Sequence, residues 1–347
     1  MSNDAPTLRD DHAGDASDGI FGIDCAGERA AIVLTPAPVD ATTTYGRGTA
    51  AGPAAIREAS AQLDLADRRF GDAWRAGIYM DDAPPGIIEL AEQADRIARP
   101  IIARGGATGV DHDAIAQLDA IGDRITNTIR ERTAELLTAG KVPGLIGGEH
   151  SVSLGAIQAV AAHHGSLGVL QIDAHLDLRR AYLGMKHSHA SVMHNVVASV
   201  PTLDNLVAVG VRDVCREELD AINADRRLSA YFDDDIADRI AAGENAANIW
   251  HDVISDLPNN IYISFDIDGL DPSLCPSTGT PVPGGLTFRD ASQLLHAIVR
   301  AGKRIVGFDL VEVAPGPTEC DANVGARILY RLCGAAALSN GIETRGR

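Results

Sequence analysis

The stretch LGVLQIDAHLD, residues 167–177, carries the signals that decide the fold. Its first six residues are almost wholly apolar and predict a buried strand. Polar side chains then stand at every second position, at Asp173, His175 and Asp177. Alternate side chains of a strand point to the same side, so we expect these three to converge on one point.

A second stretch, NIYISFDIDGLDP at residues 260–272, has the same arrangement. Asp266 and Asp268 would share a face where its apolar run ends. Asp271 lies in a turn before Pro272, where aspartate usually has a structural role, so we leave it out of the site. Carboxylates that end two buried strands repel each other and lose hydration unless a cation holds them. The two stretches therefore predict a cluster of divalent metal ions.

Apolar, β-branched segments alternate with helical patterns along the rest of the chain. The strand candidates are residues 30–36, 76–80, 142–148, 167–173, 206–211, 260–268 and 305–313. The helix candidates are residues 52–63, 115–140, 151–164, 290–302 and 323–338. Strands that are apolar along most of their length predict a central, mostly parallel sheet, and the alternation predicts a three-layer α/β/α sandwich. In such sheets sites form beyond the carboxyl ends of the strands, where the acidic residues lie.

The composition narrows the class of protein. The 347-residue chain has a net charge of −18, which argues against a nucleic-acid-binding protein and against adhesion to anionic membranes. Its five scattered cysteines lack a C-x-x-C motif, so we expect no disulfide framework and a cytoplasmic location. No run approaches the roughly 20 apolar residues that span a bilayer. Residues 1–18 are polar and acidic and predict a disordered leader before a single domain at residues 19–347.

Three further motifs contain residues suited to catalysis or metal binding. GGEHSVSLG, residues 147–155, places His150 where a strand gives way to a helix. SHASVM contains His189, and GFDLVEVAP places Glu312 after a strand. Alone, each motif also fits an ordinary capped turn or a core residue with satisfied hydrogen bonds. Their order along the chain, together with the two acidic stretches, is far more specific than any one of them.

Taken together, the five motifs resemble those of the ureohydrolases, the arginase/agmatinase family of binuclear manganese enzymes. The resemblance runs from about residue 30 to residue 338 and includes the stretch PVDATTTYGRGTAAGPAAIREAS at residues 38–60. The motif sequences are closer to those of bacterial agmatinase-like members than to those of arginases. The family's usual G-G-D-H appears here with Glu149, which keeps the carboxylate.

The resemblance implies a fold, two Mn²⁺ ions per chain and their ligands. One ion would be bound by His150, Asp173, Asp177 and Asp266. The other would be bound by Asp173, His175, Asp266 and Asp268, so that Asp173 and Asp266 bridge. A set of four carboxylates and two imidazoles is mostly hard and suits Mn²⁺, while Zn²⁺, Fe²⁺, Co²⁺ and Ni²⁺ stay open as alternatives.

The resemblance also implies an activity. Two divalent ions about 3.5–4 Å apart can activate a water molecule for attack on a guanidinium carbon. Glu312 would pair with the guanidinium, and His189 would transfer a proton to the departing amine. Asp177 would bind metal and also accept a hydrogen bond from the attacking water. The products are urea and an amine, and agmatine, which yields putrescine, is the first candidate substrate.

Several alternatives stay open. Other guanidino or formimino substrates are arginine, guanidinobutyrate, guanidinopropionate, free guanidine and formiminoglutamate. Arg179, Arg180 and Lys186 would favour a substrate tail with a carboxylate if they face the pocket, and would have no such effect as a solvated loop. The chain could also be a catalytically silent regulatory relative or an amide hydrolase, although Glu312 suits a cationic guanidinium better than a neutral amide. The resemblance further implies a homo-oligomer, a trimer or hexamer.

Overall fold

In the computed structural model, which describes residues 19–344, eight parallel strands form one sheet. Their spatial order is β2-β1-β3-β8-β7-β4-β5-β6. The strands are β1 Ile32–Ala37, β2 Ile78–Met80, β3 Val142–Gly147, β4 Leu167–Ile172, β5 Leu203–Val211, β6 Leu228–Phe232, β7 Asn260–Asp266 and β8 Arg304–Val311. The prediction of a mostly parallel sheet is confirmed, and every pairing between these eight strands is parallel.

Helices cover both faces of this sheet. They are α1 Gly52–Ser60, α2 Ile87–Ala103, α3 His112–Thr138, α4 Ser153–His164, α5 Val192–Ser199, α6 Arg216–Ala224, α7 Asp233–Ala241, α8 Ala246–Ser255, α9 Phe288–Arg300 and α10 Cys320–Ser339. Helices α1, α8, α9 and α10 contribute to one hydrophobic core, and α2 to α5 contribute to a second core on the opposite face. Two cores on one sheet make the predicted three-layer α/β/α sandwich, which is confirmed.

The strands at the centre of the sheet explain the apolar runs in the sequence. Every residue of β3 and β4 is buried, as is every residue of β7 and β8 except the first. A strand with helices on both faces has no exposed side, so its sequence does not alternate. The edge strand β6 was not predicted because only Leu228 is fully buried in its LSAYF sequence. Helices α2, α5, α6, α7 and α8 were not predicted either, and α2 contains Pro100 near its end.

Three remaining sequence predictions concern the ends of the chain, its cysteines and membranes. The predicted leader, residues 1–18, lies outside the described residues, and the single domain at residues 19–347 stays a prediction. All five cysteines are free thiols, in agreement with the expected lack of a disulfide framework. Among the helices of residues 19–344, none has both the length and the apolar character needed to cross a membrane.

Candidate metal centre

Four neighbouring strands bring the predicted site residues to one edge of the sheet. Strands β3, β8, β7 and β4 lie side by side in that order. His150 follows β3, Glu312 follows β8, Asp266 ends β7 and Asp173 follows β4. Since parallel strands place their carboxyl ends at the same edge, residues far apart in sequence meet there.

The backbone that carries these residues is bent where the sequence predicted an extended strand. The extended spacing expected for Asp173, His175 and Asp177 is wrong, because β4 ends at Ile172 and the chain bends immediately. Asp177 adopts a left-handed backbone conformation with φ of 52°. Its carbonyl oxygen accepts hydrogen bonds from the backbone of the next helix, which stabilises that bend. Asp268 likewise lies in a 3-10 turn after β7 and not in the strand.

A first cluster surrounds the imidazole of His150. Its Nδ1 atom lies 3.1 Å from Asp173 Oδ2, 3.0 Å from Asp177 Oδ2 and 3.4 Å from Asp266 Oδ2. This nitrogen is buried and has no hydrogen-bond partner among the described residues. A buried nitrogen aimed at three carboxylates without a hydrogen bond fits the role of a metal ligand.

A second cluster lies beside the first and shares Asp173 with it. His175 Nδ1 lies 3.4 Å from Asp173 Oδ1 and 3.2 Å from Asp268 Oδ2. Asp173 therefore turns one oxygen to each imidazole, as a bridging ligand would. Candidate ligand atoms lie within 4.8 Å of one another in two sets, His150 with Asp173 and Asp266, and Asp173 with His175 and Asp268. The second oxygen of Asp266 accepts the Asp268 backbone N–H at 2.9 Å, so bridging by Asp266 stays a prediction.

The electrostatics of the clusters favour a bound cation. Burial, together with repulsion from the Asp173 carboxylate, raises the pKa of Asp177 to about 7. Burial also raises the pKa of Asp266 well above its ordinary value, together with repulsion from Asp268. Burial alone would lower the pKa of His175, yet the carboxylates of Asp268 and Asp173 raise it to about 12. The carboxylates therefore need more positive charge than the two imidazoles provide. The carboxylates and imidazoles together fit two divalent ions as ligands.

A buried carboxylate that the sequence analysis missed orients His150. Ser264 Oγ donates to Asp309 at 3.0 Å and lies 2.9 Å from His150 Nε2. Because the hydroxyl donates its proton to the hydrogen bond with the carboxylate, Ser264 Oγ must accept a hydrogen bond from Nε2–H, and Nδ1 keeps its lone pair for a metal. The signal in the sequence was an aspartate inside the apolar strand GFDLV.

Glu312 lines the same pocket as four of the candidate ligands, His150, His175, Asp177 and Asp266. It follows β8 with a φ of 63° and is buried. Its Oε1 atom accepts the His150 backbone N–H at 2.8 Å. Its Oε2 atom faces Gly279, where an added Cβ would come within 3.2 Å of it. Burial raises the pKa of Glu312 well above its ordinary value, and the charge of Glu149 adds to this. A carboxylate held this way is stabilised by a cationic partner.

His189 lines the same pocket but belongs to neither cluster of candidate ligands. It begins a 3-10 turn capped by Ser188. Its Nδ1 atom lies 3.2 Å from the hydroxyl of Thr42. Burial, together with the imidazoles of His175 and His150, lowers the pKa of His189 to about 4. This placement suits proton transfer, and that role stays a prediction.

The pocket has a volume of about 240 Å³ and opens past charged and aromatic side chains that were not predicted. Its lining includes Asp213, Glu218 and the largely exposed ring of Tyr45. Of the three basic residues in question, Arg179 lines the pocket, with its guanidinium 4.8 Å from the centre of the Tyr182 ring. The other two, Arg180 and Lys186, are exposed and do not line it.

Two residues in the turns of these motifs, Asp271 and Gly148, have structural roles. Asp271 accepts the Ser273 backbone N–H at 2.9 Å and lies outside both clusters. Gly148, in the G-G-E-H motif, passes so close to the chain that a Cβ would lie 2.0 Å from the Val39 carbonyl oxygen. Only glycine allows this approach.

The fold and the paired acidic clusters define a metal-dependent hydrolase, and comparison with known proteins agrees. The sequence model of the arginase family matches residues 30–334. The chain is 32% identical to the N(1)-aminopropylagmatine ureohydrolase of Thermus thermophilus over 320 residues, covering 92% of this chain and 94% of that protein. It is 30% identical to the agmatinase of Bacillus anthracis, covering 83% and 85% of the two chains.

A solved structure supports the same fold. The agmatine ureohydrolase of Thermoplasma volcanium superposes with a TM-score of 0.69 at 24% identity, covering 90% of this chain and 92% of that one. The chain belongs to the arginase family. It is a metal-dependent ureohydrolase that acts on a guanidino C–N bond.

Proposed function

We propose that this ureohydrolase cleaves agmatine to urea and putrescine with two Mn²⁺ ions. The observation that carries the proposal is the distribution of acidic groups in the pocket. Glu312 is buried beside the metal clusters, and Asp213 and Glu218 line the same pocket. Agmatine has a guanidinium at one end and an ammonium at the other, so each cationic end would find a carboxylate.

Different side chains of the pocket would bind the metal ions, orient the guanidinium and transfer a proton. The two ions would be held by His150, Asp173, Asp177, Asp266, Asp268 and His175, and they would supply an activated water. Glu312 would use Oε2 to orient the guanidinium, since Oε1 is occupied by the His150 backbone. His189 would transfer a proton to the departing amine. Asp177 would bind metal and accept a hydrogen bond from the attacking water.

Manganese is proposed from the chemistry of the donors. Four carboxylates and two imidazoles form the clusters, and no thiol is among them. Such hard ligands suit Mn²⁺, whereas Zn²⁺, Co²⁺, Ni²⁺ and Fe²⁺ would compete by intrinsic affinity. Elemental analysis of the purified protein, followed by reconstitution with each ion, tests the assignment.

A second candidate substrate has a tail with a carboxylate, and Arg179 supports it. The guanidinium of Arg179 stacks on Tyr182, and its Nε lies 3.8 Å from Glu218 Oε2. That distance is too long for a hydrogen bond, so its donors stay available to a carboxylate. We favour agmatine because Glu218 already neutralises Arg179, which leaves Asp213 to attract the ammonium.

Urea release from a panel of guanidino compounds tests the proposal. The panel should contain agmatine, N(1)-aminopropylagmatine, arginine and guanidinobutyrate, each with Mn²⁺. Asp213→Asn should raise KM for agmatine several-fold, and Arg179→Ala should not. If guanidinobutyrate is preferred and Arg179→Ala abolishes its turnover, the second candidate is correct. If no compound releases urea, both are wrong. A trimer or hexamer, a cytoplasmic location and a role in polyamine biosynthesis stay predictions.

A further inference from the structure

We infer that Thr42 and Glu149 are positioning residues that fix the tautomer of His189. In this arrangement the ring proton of His189 resides on Nδ1, and Nε2 is left as the atom that exchanges protons with the substrate. The inference rests on the proposed function, because it assigns how the proton-transfer residue of that reaction is held. Neither Thr42 nor Glu149 belongs to the candidate ligand sets.

The contacts form a short chain from Glu149 to His189. Thr42 donates twice to Glu149 Oε2, from its backbone N–H at 2.7 Å and from its hydroxyl at 2.9 Å. The same hydroxyl oxygen accepts the His189 backbone N–H at 3.0 Å and lies 3.2 Å from Nδ1. Ser151 donates to the other oxygen of Glu149 at 2.6 Å. Glu149 and Thr42 are both buried, so water does not compete for these bonds.

Counting donors and acceptors then decides the tautomer. Both oxygens of Glu149 already accept hydrogen bonds, so its carboxylate acts as an acceptor towards Thr42. The Thr42 hydroxyl has one proton, and we assign it to Glu149 because that contact is the shorter one, 2.9 Å against 3.2 Å to Nδ1. The hydroxyl can therefore only accept from His189, and the Nδ1 atom must carry a proton to make that contact. The Ser188 hydroxyl is the other neighbour of Nδ1, but at 3.5 Å it lies farther away than the Thr42 hydroxyl at 3.2 Å. One ring nitrogen is thereby fixed as a donor, and Nε2 keeps the lone pair.

The side chain of Glu149 is longer than that of the aspartate in the family's usual G-G-D-H motif, and this length lets its carboxylate contact Thr42. Glu149 begins the turn before α4, while Thr42 lies in the loop after β1, 107 residues earlier in the chain. The carboxylate ties that loop to the wall of the pocket. In the sequence, Glu149 stands only in the place of the aspartate of the family's usual G-G-D-H motif, and nothing in G-G-E-H indicates a partner so distant.

Thr42→Val tests the inference, with two matched controls. Valine keeps the shape and the backbone N–H but removes the hydroxyl, and we expect kcat for agmatine to fall about 10–100-fold. KM and metal content should stay near those of the parent. Thr42→Ser restores the hydroxyl and should restore most of kcat. Thr43→Val removes the hydroxyl of a neighbouring buried threonine that reaches Glu149 Oε2 only at 3.5 Å and does not contact His189, so it should change kcat less than about threefold.

A double-mutant cycle separates positioning from a general structural effect. In a His189→Ala background, Thr42→Val should lower kcat no further, since the residue it positions is gone. Additive losses would overturn the inference, as would equal activities of Thr42→Val and Thr43→Val. An inactive parent would instead refute the proposed function.

Neutron diffraction from deuterated crystals of the metal-loaded parent supplies a readout that does not depend on activity or on any variant. We expect deuterium on His189 Nδ1 and on the Thr42 hydroxyl, the latter directed at Glu149. Deuterium on Nε2 with a bare Nδ1 would overturn the inference.

Discussion

Replacing Glu312 with glutamine removes a charge from the pocket while keeping the shape of the side chain. The amide oxygen can still accept the His150 backbone N–H, which is bound at 2.8 Å in the parent. The atom that replaces Oε2 becomes an NH₂ group and can no longer accept a hydrogen bond from a guanidinium. Losing one charge-assisted hydrogen bond costs about 1.5–3 kcal/mol. We therefore expect kcat/KM to fall by roughly 10- to 150-fold.

The assay combines urea release with inhibition by free guanidinium. In Glu312→Gln the inhibition constant of guanidinium should rise in parallel with the loss of kcat/KM. Metal content and melting temperature should not fall, because Glu312 lies outside both ligand sets. Asp213→Asn is the matched control, since it removes an exposed pocket carboxylate that free guanidinium, lacking a tail, does not need.

One result would refute this reasoning. If guanidinium inhibits Glu312→Gln as strongly as it inhibits the parent, Glu312 is not the partner of the guanidinium. A loss of metal in the variant would show instead that Glu312 acts through the ligand set, and the fall in kcat/KM would then have a different cause.

Three further predictions concern the metal centre. Asp266→Ala should lose bound metal and activity, and a purified variant that retains two metals per chain by elemental analysis would contradict this. His189→Ala should keep its metal while kcat falls by roughly 10²–10⁴, and unchanged turnover or missing metal would contradict the assignment. Mn²⁺ binding should release protons at about pH 8 and strengthen as pH rises, because His175, whose pKa is raised to about 12 against the effect of burial, must lose its proton to bind a metal. Titration calorimetry in buffers of different ionisation enthalpy measures this release, and heats that do not depend on the buffer would refute it.

Much of the fold and the set of candidate ligands could be predicted from the sequence because both depend on local patterns. The buried strands are apolar along their length, so β3, β4, β7 and β8 stand out. The ends of those strands are where an α/β sheet gathers polar groups. The edge strand β6 lacks this signal, since most of its side chains are half-buried.

Contacts between distant segments could not be predicted in this way. The bond from Thr42 to Glu149 spans 107 residues, and the bond from His150 to Glu312 spans 162. The periodicity of one segment does not indicate which distant loop will pack against that segment. The bend after Ile172 was also missed, because the spacing of DAHLD suits an extended strand as well as it suits a turn with a left-handed Asp177.

The origin of the pocket residues explains why family membership establishes the reaction but leaves the substrate tail to experiment. The candidate ligands stand at the ends of strands and in the turns that follow them, and the sheet fixes their positions. The groups that face the outer pocket come from loops, among them Tyr45 after β1, Asp213 after β5 and Val282 before α9. The first of these loops is tied to the last, since Gly46 donates a hydrogen bond to the Gly279 carbonyl at 2.8 Å. Loops can change without disturbing the sheet, so membership of the family carries over the guanidino chemistry, while the choice of tail depends on side chains that the fold does not specify.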